Sequence, residues 1–348
     1  CVEAMERGSP GRAHRLSHYD APRHALYLHN HANGVYRITP DAIDFVDNGE
    51  DGVLFMGDSR HEPFIVGREA PQTDLFREVI TSKISLAEDR LTADERRLLL
   101  TVWFLSIFFD NPTKPILAFV GPKGSGKSIT LRKLGLLLFG RNFDVTPMSD
   151  DPKDFDAAVT NSAYVALDNV DSSYRWLDDR LAAVATGGTI KRRELYTTNR
   201  LVEIPIRCAL GITSRTPRFR GADVADRLLI MKVDRFERFV SERALLDEVL
   251  LNRDALMTEV VYHLQDVVRA LRDGSGMDDS GAFRMADFAD VAMKIARATD
   301  VEEQVGGIFR KLSDEQSSFT LEDEPILDLL SAWLTNPSNV GRGMTSAE

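Results

Sequence analysis

The chain contains the glycine-rich run Gly121-Pro122-Lys123-Gly124-Ser125-Gly126-Lys127-Ser128. It fits the pattern G-x-x-x-x-G-K-[ST] at every fixed position. The glycines let the backbone curl until several N–H groups point inward, where they can hold phosphate oxygens. Lys127 supplies a positive charge for the β- and γ-phosphates, and the Ser128 hydroxyl is a small, hard ligand for Mg²⁺. The pattern therefore predicts that residues 121–128 bind ATP with Mg²⁺.

The sequence on both sides of this loop supports the prediction. Residues 115–120 form an apolar run that is typical of a buried parallel strand. Residues 127–139 carry leucines at helical spacing, and Gly140 is a typical helix stop. The phosphates are therefore expected at a helix N-terminus, where free N–H groups and the helix dipole favour negative charge. A chance glycine-rich turn is the alternative.

Composition limits the possible functions. The chain has 348 residues, of which 43% are hydrophobic and 28% charged, and this leaves room for two or three globular domains. The net charge is −11, so a site for nucleic acid must be a local basic patch. The longest apolar stretch, residues 98–109, is too short to span a bilayer and predicts a buried helix.

The cysteine count and the N-terminus bear on the cellular setting. The 2 cysteines are too few for a disulfide scaffold, so a reducing, cytoplasmic setting is expected. No signal peptide is visible, and the first residue is Cys1 rather than Met, as in a fragment.

Four regions are predicted along the chain. Residues 1–70 form a small β-rich module, in which residues 1–20 are loose. Its β-like runs are 25–28, 35–38 and 53–56, with hairpin turns at Asn33-Gly34 and Asn48-Gly49. The other regions are a helical lead-in over 71–112, an ATPase core with a parallel sheet over 113–236, and a helical C-terminal region over 237–348. Thr92 and Glu95 predict a capping box in the lead-in.

An acidic partner for Mg²⁺ is expected at the end of another core strand. The apolar residues 164–167 lead directly to Asp168, which is the candidate Mg²⁺ ligand together with Ser128. A strand-capping acid is the alternative. In hydrolytic sites a Glu usually follows this Asp and polarises the attacking water, but Asn169 stands there and cannot accept a proton. Asp171 is a candidate replacement, and a loop acid or helix cap is its alternative.

Residues 186–205 predict a hairpin, in which two β-like arms flank a polar tip at Thr197 to Asn199. The hairpin carries a set of basic and aromatic side chains: Lys191, Arg192, Arg193, Tyr196 and Arg200. Basic side chains can follow a phosphate backbone, and a tyrosine can stack on a base. These five residues are therefore candidates for binding nucleic acid. A solvated basic edge that discourages strand pairing is the alternative.

Candidate groups for the γ-phosphate come later in the chain. The strand-like run 208–212 ends in Thr213 and Ser214, whose hydroxyls can hydrogen-bond the attacking water or the γ-phosphate. Arg227 stands before an apolar strand and is a candidate arginine finger, whose charge stabilises the phosphoryl transition state. The competing arginines are Arg215, Arg218 and Arg220, and a surface or salt-bridging role is the alternative for each.

The ordered set of motifs resembles superfamily 3 helicases of the AAA+ class. The likeness is greatest to the poxvirus and phage primase-helicase group and its bacterial mobile-element relatives. It covers about residues 90–236 and rests on Gly121–Ser128, Leu167-Asp168, Thr186-Gly187-Gly188, Arg193–Tyr196, Thr213-Ser214 and Asp226-Arg227. The resemblance implies a hexameric ring that binds ATP between subunits and moves single-stranded DNA through a central pore.

The resemblance also implies roles for particular residues. Lys127, Ser128 and Asp168 would hold Mg-ATP. Ser214 or Thr213 would be the sensor, Arg227 the finger that acts on a neighbouring subunit, and Lys191 to Arg200 the pore hairpin. The chain departs from the family where Asn169 replaces the second acid, and where Thr213-Ser214-Arg215 lacks the usual sensor Asn.

Three functions fit these observations. The first is an ATP-dependent DNA helicase or translocase of phage or mobile-element replication. The second is an AAA+ nucleotide switch, such as a DNA-bound initiator, loader or defence ATPase, which hydrolyses ATP slowly and does not unwind DNA. The third is a small-molecule kinase, in which the basic hairpin and Arg227 have no evident role. A further feature, His29-Asn30-His31, predicts a solvated surface, with a metal pair as the alternative.

Overall fold

The computed structural model describes residues 13–109, 113–170, 174–193, 201–215, 222–236, 241–273, 283 and 285–322. Its strands are β1 (Ser17–Asp20), β2 (Ala25–His29), β3 (Gly34–Ile38), β4 (Ile43–Asp47), β5 (Ile116–Val120), β6 (Thr146–Pro147), β7 (Tyr164–Asp168), β8 (Thr189–Arg193), β9 (Leu201–Pro205), β10 (Ala209–Ser214) and β11 (Leu228–Lys232). Its helices are α1 (Ala93–Ser106), α2 (Lys127–Phe139), α3 (Pro152–Asn161), α4 (Leu177–Ala185), α5 (Ala222–Ala225), α6 (Glu242–Leu251), α7 (Arg253–Arg272), α8 (Ala286–Ala298) and α9 (Glu302–Glu322).

The described part of the chain is a mixed α/β protein with a parallel sheet at its centre. Five strands lie in the order β11-β5-β10-β7-β6, and all neighbouring pairs are parallel. Because β5 lies between two strands that come later in the chain, the sheet has a topological switch point beside it. Ligands of open α/β sheets bind at such a point, outside the carboxyl ends of the strands. The residues after β5 are Gly121–Ser128, the predicted phosphate loop.

The N-terminal β module is a four-stranded antiparallel sheet in the order β1-β2-β3-β4. Two details of the sequence prediction are wrong. Residues 17–20 are not loose, because they pair with β2 as an edge strand. Residues 53–56 are not a strand, since Phe55 makes only a single bridge with His14 and its backbone is held by the Asn48 side chain.

The lead-in to the parallel sheet contains the predicted capping box. Thr92 Oγ1 accepts a hydrogen bond from the Glu95 amide, and the Glu95 carboxylate accepts one from the Thr92 amide. The apolar run that follows is buried, as expected, but its helix ends at Ser106 rather than Phe109. A single π-type turn, Phe76–Ile80, precedes α1 and packs under α2.

A continuous hydrophobic core joins these elements. The cluster includes Leu26 of β2, Phe119 of β5, Leu134 of α2 and Val261 of α7. The described residues after 240 form α6 to α9, and α7 packs on α8 and on the N-terminal sheet. None of the helices that the structure describes has the length and apolarity that a membrane crossing requires.

Candidate functional site

The glycine loop leads from β5 into α2 with the bounds that the sequence predicts for the helix, Lys127–Phe139. Gly126 precedes the helix with φ +76°, a left-handed conformation that favours glycine. Gly121 is required by packing, because a Cβ there would lie 2.1 Å from the Val233 carbonyl oxygen. The first turn is tightened by Thr130, whose amide and hydroxyl both donate to the Gly126 carbonyl.

The Lys127 ammonium group lies inside the curve of this loop. Its Nζ donates to the carbonyl oxygens of Gly121 at 2.7 Å and Pro122 at 2.8 Å, and lies 3.3 Å from Ser125 Oγ. A positive charge is therefore held among oxygen atoms at the N-terminus of α2. Phosphate oxygens at this position would meet both the charge and the free N–H groups of the helix.

The structure brings three hydroxyl and carboxyl groups together at the carboxyl edge of the sheet. Ser128 Oγ donates to Asp168 Oδ1 at 2.7 Å, and Thr213 Oγ1 donates to the same oxygen at 2.5 Å. They meet because β5, β10 and β7 are neighbours, so their carboxyl ends adjoin. Hydroxyl and carboxylate oxygens are ligands that Mg²⁺ prefers, so Ser128 and Asp168 fit the predicted metal ligands.

Asn169, which follows Asp168, has φ +58° and is exposed. Asparagine tolerates this left-handed conformation better than most residues. Its amide donates to Thr213 Oγ1 at 2.9 Å, so the chain turns away from β7 directly after the acid. Asp171, the alternative base, lies outside the described residues.

Of the two sensor candidates, Thr213 contacts the acid. Ser214 is buried beside the loop, and its carbonyl accepts from the Gly121 amide at 3.2 Å. The contact of Thr213 with Asp168 could have been inferred from the sequence, because residues at matching positions of neighbouring parallel strands lie side by side. Ile212 lies opposite Leu167 in the register, so the next residues, Thr213 and Asp168, are neighbours.

Arg227 lies at the opposite edge of the sheet from the loop. It comes directly before β11, and its carbonyl accepts from the amide of Ile116, the first residue of β5. The five residues of β5 separate it from Gly121, a length of about 17 Å at 3.3 Å per residue. Its side chain therefore does not reach the loop of its own subunit. Arg215 is exposed at the end of β10, and Arg218 and Arg220 lie outside the described residues.

The predicted hairpin is present as the antiparallel pair β8 and β9. Lys191 Nζ lies 2.9 Å from a carboxylate oxygen of Glu203, its cross-strand neighbour, and this hydrogen bond raises the pKa of Lys191. Glu203 was not among the predicted site residues, and it offsets part of the positive charge. Arg192 and Arg193 belong to β8, whereas the tip, with Tyr196 and Arg200, lies outside the described residues.

The expected solvation of His29 and His31 is wrong. Both side chains are buried, and His31 Nε2 donates to the Leu138 carbonyl at 2.9 Å. Burial lowers the pKa of His31 to about 3, so the ring is neutral and serves packing. Within the described residues no group of three or more His, Cys, Asp or Glu side chains is placed to hold a metal ion.

This geometry defines the class of protein: it is a mixed α/β protein with a glycine loop at the switch point of a parallel sheet. The family of actinomycete integrative conjugative element replication proteins matches residues 85–315, which is more than half of the chain. The chain therefore belongs to this family. No curated protein matches it.

The solved structures that resemble this chain have low sequence identity to it and low TM-scores. The apo form of the NrS-1 C-terminal region is 14% identical, with a TM-score of 0.38, over 83% of this chain and 72% of that one. A structure described as SCCmec type IV Cch, an active helicase, is 11% identical, with a TM-score of 0.38, over 88% of this chain and 73% of that one. At these TM-scores the likeness is too loose to carry a function, so the function rests on the site and the family.

Proposed function

We propose that the protein is an ATP-dependent replication helicase or translocase that moves along single-stranded DNA. The observation that carries the proposal is the contact of Ser128 and Thr213 with Asp168, directly beside the glycine loop. This cluster and the Lys127 ammonium provide what phosphoryl transfer needs, a Mg²⁺ site and a phosphate cradle at one helix N-terminus. The family supports DNA replication as the setting.

In this proposal residues 121–128 bind the phosphates of ATP, while Ser128 and Asp168 hold Mg²⁺. The metal, when bound, neutralises charge that develops on the phosphates. Thr213 orients the Asp168 carboxylate through its hydrogen bond. Ser214, Asn169 and Asp171 are the candidates for positioning the attacking water.

The position of Arg227 supports assembly of several subunits, and a ring, with a hexamer as the expected form, is what the resemblance to superfamily 3 helicases implies. An arginine finger acts close to the γ-phosphate, and the length of β5 keeps Arg227 away from its own loop. A neighbouring subunit can present Arg227 to that loop. The hairpin with Lys191, Arg192, Arg193, Tyr196 and Arg200 is the proposed contact with single-stranded DNA.

A nucleotide switch is the second candidate function, because Asn169 occupies the position of the usual water-polarising Glu. An amide cannot take the proton of the attacking water. Such a protein would bind ATP and DNA, hydrolyse slowly and not separate strands. A strand-displacement assay beside an ATPase assay distinguishes the two candidates.

Mixing two inactive variants tests the proposal. Lys127→Ala should abolish turnover because the loop loses its phosphate-neutralising charge, and Arg227→Ala should abolish it because the finger is removed. Mixed subunits should regain part of the single-strand-stimulated ATPase rate, since some interfaces then pair an intact loop with an intact finger. Lys127→Ala protein that hydrolyses ATP within a few-fold of wild type would refute the site. Mixed rings without any activity would refute the role in trans.

A further inference from the structure

A cavity of about 190 Å³ lies at the amino edge of the parallel sheet, on the opposite side from the glycine loop. One wall is the segment that leads into β1, with His14 and Arg15. The other walls precede β5 and β10 or follow α3, and include Lys114, Arg207 and Ser162. The cavity is thus formed jointly by the N-terminal module and the sheet.

The charged lining of this cavity has one sign. Its basic side chains, apart from histidine, are Arg15, Lys114 and Arg207, and no Asp or Glu is among the described residues that line it. This is unusual in a chain with 54 acidic and 43 basic residues. Three like charges around one cavity repel each other, and an anion between them removes that cost.

The three cations are held at different depths. Lys114 is buried, with only 9% of its surface exposed, and its Nζ donates to the Phe109 carbonyl at 3.1 Å. Arg15 is half-buried and contacts Asn161 Oδ1 at 3.4 Å, whereas Arg207 is exposed at the mouth. Burial raises the pKa of the adjacent Cys208 thiol to about 12, while the charges of Lys114 and Arg15 oppose this rise. The charges of both cations therefore reach the Cys208 thiol, which is buried next to Arg207.

Neutral groups complete a lining suited to a nucleotide unit. The Ser162 hydroxyl lines the cavity and can donate to phosphate oxygens, whereas Thr160 Oγ1 donates to the Asp156 carbonyl at 2.6 Å. His14, which is half-buried and stacks on His18, adds an aromatic ring to the lining on which a base can stack.

The cavity adjoins the base of the basic hairpin. Ile204 and Pro205 of β9 form part of its wall, and Pro205 pairs with Thr189 at the start of β8. A strand of nucleic acid that runs along the hairpin toward the sheet arrives at this point. Arg207 is only two residues beyond the end of β9.

We propose that this cavity is a second nucleic-acid contact, in which Arg15, Lys114 and Arg207 bind a backbone phosphate of the single strand that the hairpin engages. The inference rests on the proposed function. It places the strand between the N-terminal module and the sheet, on the side opposite the ATP site.

Salt-dependent binding of a labelled oligo(dT) tests the inference. Arg15→Gln/Arg207→Gln should bind more weakly, and its log–log salt slope should fall by roughly 0.7 for each phosphate that the variant no longer neutralises. Arg243→Gln/Arg272→Gln is a matched control, because it removes the same charge from exposed positions on α6 and α7. This control should retain the wild-type slope. The Arg192→Gln/Arg193→Gln variant tests the contribution of the hairpin to oligo(dT) binding separately.

The outcomes separate this inference from the proposed function. If the hairpin variant binds more weakly and the cavity variant behaves like the control, the cavity contact is refuted and the proposed function stands. If wild type binds no oligonucleotide, with or without Mg-ATP, both are refuted.

Arginine modification of the wild-type protein gives a test that does not depend on a variant folding. Phenylglyoxal labelling, mapped by mass spectrometry, should show that oligo(dT) protects Arg207 and Arg15 but not Arg243. Inorganic phosphate and Mg-ATP are the comparison ligands. Equal protection by either of them would identify a site for free phosphate groups and overturn the proposed nucleic-acid contact.

Discussion

The Thr213 hydroxyl makes two hydrogen bonds. The group donates to Asp168 and accepts from the Asn169 amide, so it fixes the carboxylate and the turn that follows. The residue is almost fully buried, which excludes water as a substitute partner. A ligand held by such an outer hydrogen bond is kept in one orientation, and removing the bond weakens metal sites.

We expect Thr213→Val to lower Mg²⁺-dependent ATP turnover by about 10- to 100-fold, because the carboxylate loses its orienting partner. Thr213→Ser keeps the hydroxyl and should restore most of the rate. Thr101→Val is the matched control, since the Thr101 hydroxyl donates to the Arg97 carbonyl within α1, away from the glycine loop. Titration of ATPase rate against Mg²⁺ measures the effect. A Thr213→Val enzyme with wild-type rate and wild-type Mg²⁺ dependence would contradict this role.

At the scale of elements, the C-terminal end of α2 is held by a buried arginine. Arg253, the first residue of α7, donates to the carbonyl oxygens of Leu137 at 3.0 Å and Leu138 at 3.2 Å. It also donates to the carbonyls of Glu62 and Pro63 at 2.9 Å each. A cation at a helix C-terminus interacts favourably with the helix dipole. Arg253 thus connects α2 with α7 and with the segment after the N-terminal sheet.

Arg253→Met should reduce the free energy of unfolding by about 3 kcal/mol, since four carbonyl groups lose a charged donor in a buried site. Arg243→Met, at an exposed position of α6, should change it by less than about 0.5 kcal/mol. Urea unfolding followed by circular dichroism measures both values. Equal stability of the two variants would show that solvent replaces the arginine.

At the scale of the whole molecule, the continuous core encloses charged groups as well as apolar ones. Lys133 on α2 is 2% exposed, and its Nζ donates to the Val79 carbonyl in the π-type turn. Burial lowers its pKa to about 8. In the unfolded chain a lysine titrates near its ordinary pKa of about 10.4. The unfolded state therefore binds more protons between these two values, and folding stability must depend on pH there.

The free energy of unfolding should therefore rise with pH in this range. From about pH 8 to pH 10.5 the folded protein should gain stability relative to Lys133→Met, by an amount on the order of 2 kcal/mol, because the buried lysine sheds its unfavourable charge. Below pH 8 the difference between the two proteins should be constant. Urea unfolding of both proteins at pH 7, 8, 9 and 10 measures the difference. A difference that stays flat up to pH 10 would mean that Lys133 titrates normally.

Local signals were sufficient for the centre of the site and insufficient for its surroundings. The loop, the bounds of α2 and the capping box were predictable because strand, loop and helix are adjacent in sequence. The burial of His31, Lys133 and Arg253 was not predictable, since their partners lie far away in the chain. The same reason explains β1, whose polar sequence lacks a strand signal until β2 lies beside it.

The glycine loop and Arg227 project from opposite edges of one sheet. A twofold dimer repeats the same surface on both partners, so it would turn like edges toward each other. If Arg227 serves a neighbour's nucleotide, the contact must instead be heterologous, with the amino edge of one subunit on the carboxyl edge of the next. An open row of subunits joined by such head-to-tail contacts has one unused edge at each end, where a further subunit can bind. The assembly therefore either closes on itself as a cycle or continues as a filament.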